Sequence, residues 1–290
     1  MRDSQEVPLS TGTLRYSTDD PEAIDRFREM VLSHYSLHGR DLPWRKTTDP
    51  YHILVSEMML QQTQVDRVVQ KFLKFIERFP DFSTLAEAPL SDVLTYWQGL
   101  GYNRRAIALL GCSRRVMEEF GGKLPADVDT LATFPGIGRA TASSICAFAY
   151  DLPVVFIETN IRRVFIHFFF PEEATVADTE ILPVAEATLY HESPRLWYNA
   201  LMDLGTSLKT TVPNPNRRSR QYTKQSVFEG SDRKIRGCIL KLLLSNGRMT
   251  EKRVISLVSE DPGRVNQLIR DLEGEGFLTR SGPYIAISTR

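Results

Sequence analysis

A chain of 290 residues, 42% hydrophobic and 25% charged, can bury a sizeable core and is long enough for more than one domain. Its 36 basic and 36 acidic residues cancel, which argues weakly against nucleic-acid binding as a global property, and no apolar run approaches the ~18 residues of a membrane span. The three cysteines, Cys112, Cys146 and Cys238, are odd in number and far apart, which argues against a disulfide framework or a cysteine-ligated metal and makes a reducing cytosol the default compartment.

Residues 1–20 read as an N-terminal extension, and the opening MRDSQEVPLSTG lacks the apolar core of a secretory signal. A helix is expected over 21–37, with Pro21 at its start and Ile24, Phe27, Met30, Val31 and Tyr35 at helical spacing. HGRDLPWRKTTDP follows as a loop. Residues 51–79 read as two helices, YHILVSEMMLQQTQ and VDRVVQKFLKFIERF, the second clearly amphipathic. Residues 85–119 continue helical, interrupted by the glycine pair of QGLGYN. A helical segment at 126–132 leads into a Gly-x-Gly turn and a helix over 139–150. Further helices are expected over 160–169, 178–191 and 194–208. No period-2 alternation appears before residue 275, so residues 21–210 form an all-α domain.

TTVPNPNRRSRQYTKQSVFEGSD is rich in turn formers, and residues 211–230 read as a basic linker. Arg217, Arg218, Arg220, Lys224, Arg233, Lys234 and Arg236 face only Glu229 and Asp232 here, as expected of a solvated linker or of a DNA contact. Residues 231–290 then give three helical patterns, with Gly247 breaking the first from the second and Thr250 and Asp261 placed as N-caps. Two short strands around Ser-Gly-Pro close the chain. Three helices and a β-hairpin make a winged-helix pattern, which serves DNA binding or protein interaction.

The chemistry concentrates in residues 134–160, FPGIGRATASSICAFAYDLPVVFIETN. A short helix over 129–133, the turn PGIG and a second helix fit a helix-hairpin-helix. Glycines there let the backbone approach a phosphate, with amides of Gly136, Gly138 and neighbours such as Arg139 turned toward its oxygens. Beyond the apolar helix comes a carboxylate, Glu158, where a low-dielectric wall could tune it.

LPWR (42–45), SEMMLQQTQV (56–65), WQGLGYNRRA (97–106), FPGIGRATA (134–142), ETNIRRV (158–164) and ALMDLG (200–205) occur in the order of a known family. The chain resembles the helix-hairpin-helix (HhH-GPD) DNA glycosylase superfamily, and within it the adenine glycosylase (MutY-like) branch. The resemblance implies a mainly α protein: a two-lobed helical glycosylase domain, here followed by the small winged-helix-like domain. It implies that Glu57 protonates the departing base, that Glu158 supports the positive sugar, and that Asn160 orients the nucleophile. Trp44, Arg45, Leu60, Thr63 and Asn199 match base-pocket positions. Gln62 and Tyr102 match residues that wedge into the duplex, with Gln61 beside them. Such hairpins also hold a monovalent cation on backbone carbonyls.

The physical chemistry suits those roles. Splitting an N-glycosidic bond leaves an oxocarbenium-like sugar and a poor anionic leaving group, so one acid must neutralise the base while one carboxylate stays ionised. A base inside a duplex is unreachable and must be flipped out while side chains fill the gap. For Glu57 the competing reading is a surface glutamate on an amphipathic helix, and for Glu158 a simple helix cap; Trp97 reads as a core aromatic.

The sequence also departs from the pattern. Ala140 stands where strand-cutting members carry a lysine, so no lyase activity is expected. Glu158 replaces the usual Asp, and Asn199 a usual Gln or Glu. The stretch after ALMDLG, where relatives bind a four-iron cluster, contains no cysteine, so no cluster is expected. A winged-helix pattern replaces the usual 8-oxoguanine-reading domain. The leading expectation is a monomeric, monofunctional, cluster-free mismatch glycosylase acting on double-stranded DNA in the cytoplasm, at the nucleoid, with no membrane partner. It would excise adenine opposite guanine or 8-oxoguanine. A thymine or uracil glycosylase for mispairs with guanine, or a non-catalytic DNA-binding regulator on this scaffold, are the alternatives.

Overall fold

The computed structural model describes residues 15–223 and 228–289; the expected N-terminal extension up to residue 14, and residues 224–227 of the expected linker with Lys224, lie outside the described residues. The chain is helical in the order α1 (Pro21–His38), α2 (Pro50–Leu60), α3 (Val65–Arg78), α4 (Phe82–Glu87), α5 (Leu90–Trp97), α6 (Arg104–Phe120), α7 (Val128–Leu131), α8 (Arg139–Tyr150), α9 (Thr159–Phe169), α10 (Asp178–Thr188) and α11 (Pro194–Thr211). Then follow α12 (Asp232–Asn246), β1 (Met249–Thr250), α13 (Glu251–Leu257), α14 (Pro262–Gly274), β2 (Leu278–Ser281) and β3 (Tyr284–Ile287). The mainly α expectation holds.

The described residues fall into two compact units. One holds residues up to 53, 126–132 and 138–223; the other holds 54–125, 133–137 and the C-terminal segment from 228. In the first, α1, α9, α10 and α11 surround an aromatic core. Phe27 lies fully buried with Trp197 edge-on at 5.9 Å and Phe169 at 5.0 Å, geometries that the ring quadrupoles favour. α9 and α11 approach closely because α11 carries Gly205, where a Cβ would lie 2.4 Å from Asn160 O. That contact fixes the first turn of α9, where the ETN motif sits.

In the second unit, α3 turns Val68, Phe72 and Phe75 inward, and Phe75 meets the fully buried Trp97 edge-on at 6.1 Å. Trp97 is thus the core aromatic expected. The C-terminal module packs α12 and α13 on α14 beside an antiparallel sheet of order β1-β3-β2. Thr250 and Asp261 cap α13 and α14 by accepting from Arg253 N and Arg264 N, and Gly247 ends α12 at φ +69°.

Several features differ from the expectations, among them α10, which ends at Thr188 and not at residue 191. α2 stops at Leu60 and does not run through residue 64, because Gln62 adopts φ +54°. The stretch 85–119 is broken at Ala88 and Pro89 as well as at the glycines; Pro89 has no N–H to continue the preceding helix, and α5 starts after it. The linker is not loose where it is described. Arg218 donates to Phe170 O, to Pro171 O (3.1 Å), Glu173 O (2.9 Å) and Ile166 O (3.1 Å), and Ser219 forms a parallel bridge with Val176.

Candidate active site

In the first unit the site is built on the N-terminus of α9. Glu158 is its N-cap: Oε1 accepts from Asn160 N at 2.6 Å and Ile161 N at 2.8 Å, satisfying amides that the helix leaves unpaired. Asn160 Nδ2 reaches the other carboxylate oxygen at 3.3 Å, while its Oδ1 accepts from Arg163 Nη1 at 2.8 Å. Arg163 in turn donates to Gly205 O and, at 3.2 Å, to Asn214 Oδ1. Burial pushes the Glu158 carboxyl above its ordinary 4.5, against the pull of the Ile161 and Asn160 amides and of Arg163 and Arg162. The capping expectation holds for Glu158, and the cap is compatible with the catalytic role expected of the same side chain.

LPWR forms a 3₁₀ turn at Pro43–Arg45 in which Trp44 is buried. Arg45, expected at a base-pocket position, is engaged by a carboxylate of its own unit. Its guanidinium grips Asp203 of the ALMDLG motif bidentately, Nη1 to Oδ2 at 2.7 Å and Nη2 to Oδ1 at 2.8 Å. Arg40 adds its backbone N–H at 2.8 Å and its side chain at 2.6 Å. Asp203 is 2% exposed; burial opposes its charge, yet Arg45 and Arg40 hold the carboxyl below the ordinary value. Two motifs far apart in sequence are joined by this buried pair, and Asp203 is a residue that sequence reasoning quoted without assigning. Asn199 lies buried on α11. Arg217 and Arg220 are exposed, whereas Arg218, expected among the DNA contacts, is turned onto the carbonyls of the 166–173 segment.

The hairpin is present with a shorter first helix than expected, α7, which Asp127 caps by accepting from Thr130 N at 2.7 Å. Gly136 takes φ +69°, and Gly138 is the N-cap of α8. Phe134 and Ile137 are buried and anchor the turn, while Pro135, Gly136, Gly138 and Arg139 are exposed. The Ile137 amide donates within the turn to Phe134 O at 3.2 Å, so an outward set of amides excludes it. Arg139 pairs with Asp129 at 2.7 Å, both largely exposed, a pair worth little in solution.

In the second unit Glu57 is the sole Asp, Glu, Lys or Arg of α2, half-buried between the fully buried Met58 and Ser56 at 1% exposure. Beyond Leu60 the chain turns, and Gln61, Gln62, Thr63 and Gln64 lie off the helix on which they were expected. Gln61 Nε2 donates to Gly136 O at 3.2 Å, tying this turn to the hairpin turn. Gln62 (φ +54°) and Tyr102 (φ +46°), the two expected wedge residues, share the left-handed backbone with one other non-glycine among the described residues, Asp151. Such conformations are unusual for long side chains and persist where the surroundings over-determine them.

Arg105, which the sequence reading passed over, supplies that determination. This buried side chain donates through Nη1 to Met58 O (2.8 Å), Met59 O (2.8 Å) and Gln61 O (2.6 Å). Through Nη2 it donates to Thr63 Oγ1 (3.0 Å), Leu100 O (3.3 Å) and Gly101 O (3.1 Å). It thereby caps the C-terminus of α2 and holds the residues that precede both Gln62 and Tyr102. Burial draws its pKa down to about 10, which still leaves it charged at neutral pH. The signal available in sequence was only that a charged residue stands in WQGLGYNRRA.

The residues present do not fit a four-thiolate cluster. The whole chain holds three cysteines, and the loop after α11 holds none. Burial pushes the Cys112 thiol up to about 12 and that of Cys146 to about 11. Among the described residues no group of His, Cys, Asp and Glu is arranged to hold a metal ion. Hydrogen bonds organise the loop after α11: Asn216 Nδ2 donates to Thr159 O at 2.8 Å, next to the Arg163–Asn214 bond.

Residues 55–182 match the family model of the HhH-GPD superfamily of base excision DNA repair proteins. The adenine DNA glycosylase of Mycolicibacterium smegmatis is 33% identical over 269 residues, 87% of this chain and 92% of that protein. The adenine DNA glycosylase of Mycobacterium tuberculosis is 33% identical across 73% of this chain and 77% of its own length. Among solved structures, a thermostable thymine-DNA glycosylase aligns with a TM-score of 0.58 at 22% identity, covering 67% of this chain and 91% of that one. Endonuclease III in a non-covalent complex with DNA aligns with a TM-score of 0.57 at 16% identity, over 70% and 96% of the respective chains. At those identities the likeness to the solved structures is one of fold.

Proposed function

The chain belongs to the HhH-GPD superfamily of base excision DNA repair proteins, and from that premise we propose that it excises adenine mispaired with guanine or 8-oxoguanine. It is a DNA N-glycosylase of the adenine-specific kind, a hydrolase of N-glycosyl bonds in base excision repair. The match to adenine glycosylases along most of the chain carries this reading, and it sets aside the thymine, uracil and non-catalytic alternatives.

In the mechanism we assign, the bond between C1′ of the flipped-out deoxyadenosine and its base breaks with both electrons going to the base. Glu57 gives the base a proton, so that it leaves neutral. Glu158 remains ionised and stabilises the positive charge that develops on the sugar, with its direction fixed by the α9 amides and Asn160. Water then adds at C1′, Asn160 orients it, and its proton passes to a carboxylate. Trp44, Leu60, Thr63 and Asn199 shape the base pocket, and Gln62 and Tyr102 enter the duplex where the base has left. The PGIG turn, with Gly136, Gly138 and Arg139, would take a backbone phosphate, and its carbonyls would be the groups to hold a monovalent cation.

Ala140 offers no amine for a Schiff base, so cleavage stops at base release. The enzyme works as a monomer in the cytoplasm without an iron–sulfur cluster, and hydrogen bonds of Arg218 and Asn216 stabilise the loop that a cluster would organise. Double-stranded DNA is its partner, in keeping with the fold it shares with Endonuclease III bound to DNA. Single-turnover assays on duplexes carrying A:G, A:8-oxoG, G:T and G:U test this. Free adenine from the first two is expected; release of thymine or uracil alone overturns the assignment.

A further inference from the structure

The C-terminal module grips the turn that carries Tyr102. Arg233 of α12 donates through Nη1 to Tyr102 Oη at 2.5 Å, and its guanidinium lies 5.3 Å from the centre of the Tyr102 ring. Two residues further on, Arg104 opens α6 and is held by Glu275, just past α14, through Nε to Oε2 at 2.8 Å and Nη2 to Oε1 at 2.5 Å. Glu275 also takes Arg236 of α12, Nη1 to Oε1 at 3.0 Å. The inner side of the same turn is held by Arg105, whose guanidinium stands 5.5 Å from the Tyr102 ring.

These contacts bear on a residue in a costly conformation. A non-glycine residue at φ +46° persists where its surroundings over-determine the backbone. A hydrogen bond and a cation–π contact from one guanidinium fix both the hydroxyl and the ring. Within the module, Arg264 in the first turn of α14 donates to Asp232 at 2.7 Å and to Gly230 O at 2.8 Å.

We propose that the C-terminal module is a positioning element of the glycosylase, in which Arg233 sets the Tyr102 side chain for insertion into the duplex. The inference rests on the wedge role assigned to Tyr102. Arg233 acts through Tyr102 and touches no reacting atom.

The test uses the full chain and a duplex with 2-aminopurine beside the target adenine, whose fluorescence reports unstacking. Arg233→Gln should slow the fluorescence rise and base release by about fivefold, the order expected for one charge-assisted contact, with the melting temperature lowered by no more than a few degrees. Tyr102→Phe should cost about as much, the double variant no more than either single one, and Arg233→Lys should recover part of the rate. Additive losses in the double variant overturn the proposal. So does a uniform fall in affinity for undamaged duplex with the salt slope reduced by about one and unstacking unaffected, which marks a phosphate contact. Fluorescence separates this proposal from the adenine assignment. A protein that unstacks the duplex yet releases no base refutes the latter alone.

Discussion

Arg105→Ala is expected to be among the most damaging single changes in the second unit. The side chain removed is 7% exposed and donates to Met58, Met59, Gln61, Leu100 and Gly101 carbonyls and to Thr63 Oγ1. A hydrogen bond from a charged donor contributes ~1.5–3 kcal/mol, and a buried acceptor left bare costs ~1–3 kcal/mol. Met58, Met59 and Leu100 are buried, whereas Gln61, Thr63 and Gly101 reach the surface and can rehydrate. The loss of a charged group also relieves its own desolvation, so the net is far below the sum, at about 3–5 kcal/mol. At ~2–4 °C per kcal/mol for chains of this size, the melting temperature should fall by roughly 6–20 °C. Thermal unfolding followed by circular dichroism measures it, with Arg105→Lys as companion, because an ammonium cannot reach both turns as a planar guanidinium does. A fall of less than about 2 °C would refute the view that one side chain caps α2 and holds both turns.

Glu57→Gln should lower single-turnover base release by ~10²–10⁴-fold, the usual share of a general acid, while gel-shift affinity for the mismatched duplex stays within a few fold. Glu158 has its folded pKa raised, so the carboxyl stabilises the fold most below the ordinary 4.5 and weakens it as pH rises through the higher folded value. Glu158→Gln should therefore melt no lower than wild type at pH 7 while losing base release, and the rate of the wild type should fall on acidification at a pH above 4.5; melting curves and a pH–rate profile check both. Glu275 runs the other way: Arg104 first, and Arg236, against the effect of burial, pull it to about 2, so its contribution is present above 4.5 and vanishes as pH falls toward about 2. The melting difference between wild type and Glu275→Gln should close across that interval. Gly205→Ala sets a methyl 2.4 Å from Asn160 O, forcing α9 from α11; denaturant titration should show a loss of ~1–3 kcal/mol and kinetics a lowered kcat.

Much of the protein was legible in one dimension. The α3 stripe, the caps Thr250 and Asp261, the Gly247 break and the Ser-Gly-Pro turn are local signals, set by residues a few positions apart. Composition also set the expectation of no cluster, since three cysteines cannot supply four thiolates. The motif order identified the family, and the resemblance supplied the roles proposed for the carboxylates Glu57 and Glu158. Tertiary structure decided which partner each cation takes. Arg45 meets Asp203 across 158 positions, Arg218 turns onto carbonyls of the 166–173 segment, and Arg105 binds turns that neither spacing nor periodicity connects to it. The end of α2 was also beyond the sequence: MMLQQTQ contains no helix breaker, and the carbonyls exposed by stopping at Leu60 are stabilised by a guanidinium from α6. A local pattern fixes which backbone states are cheap; a distant charge in a low-dielectric interior decides which of them the chain adopts.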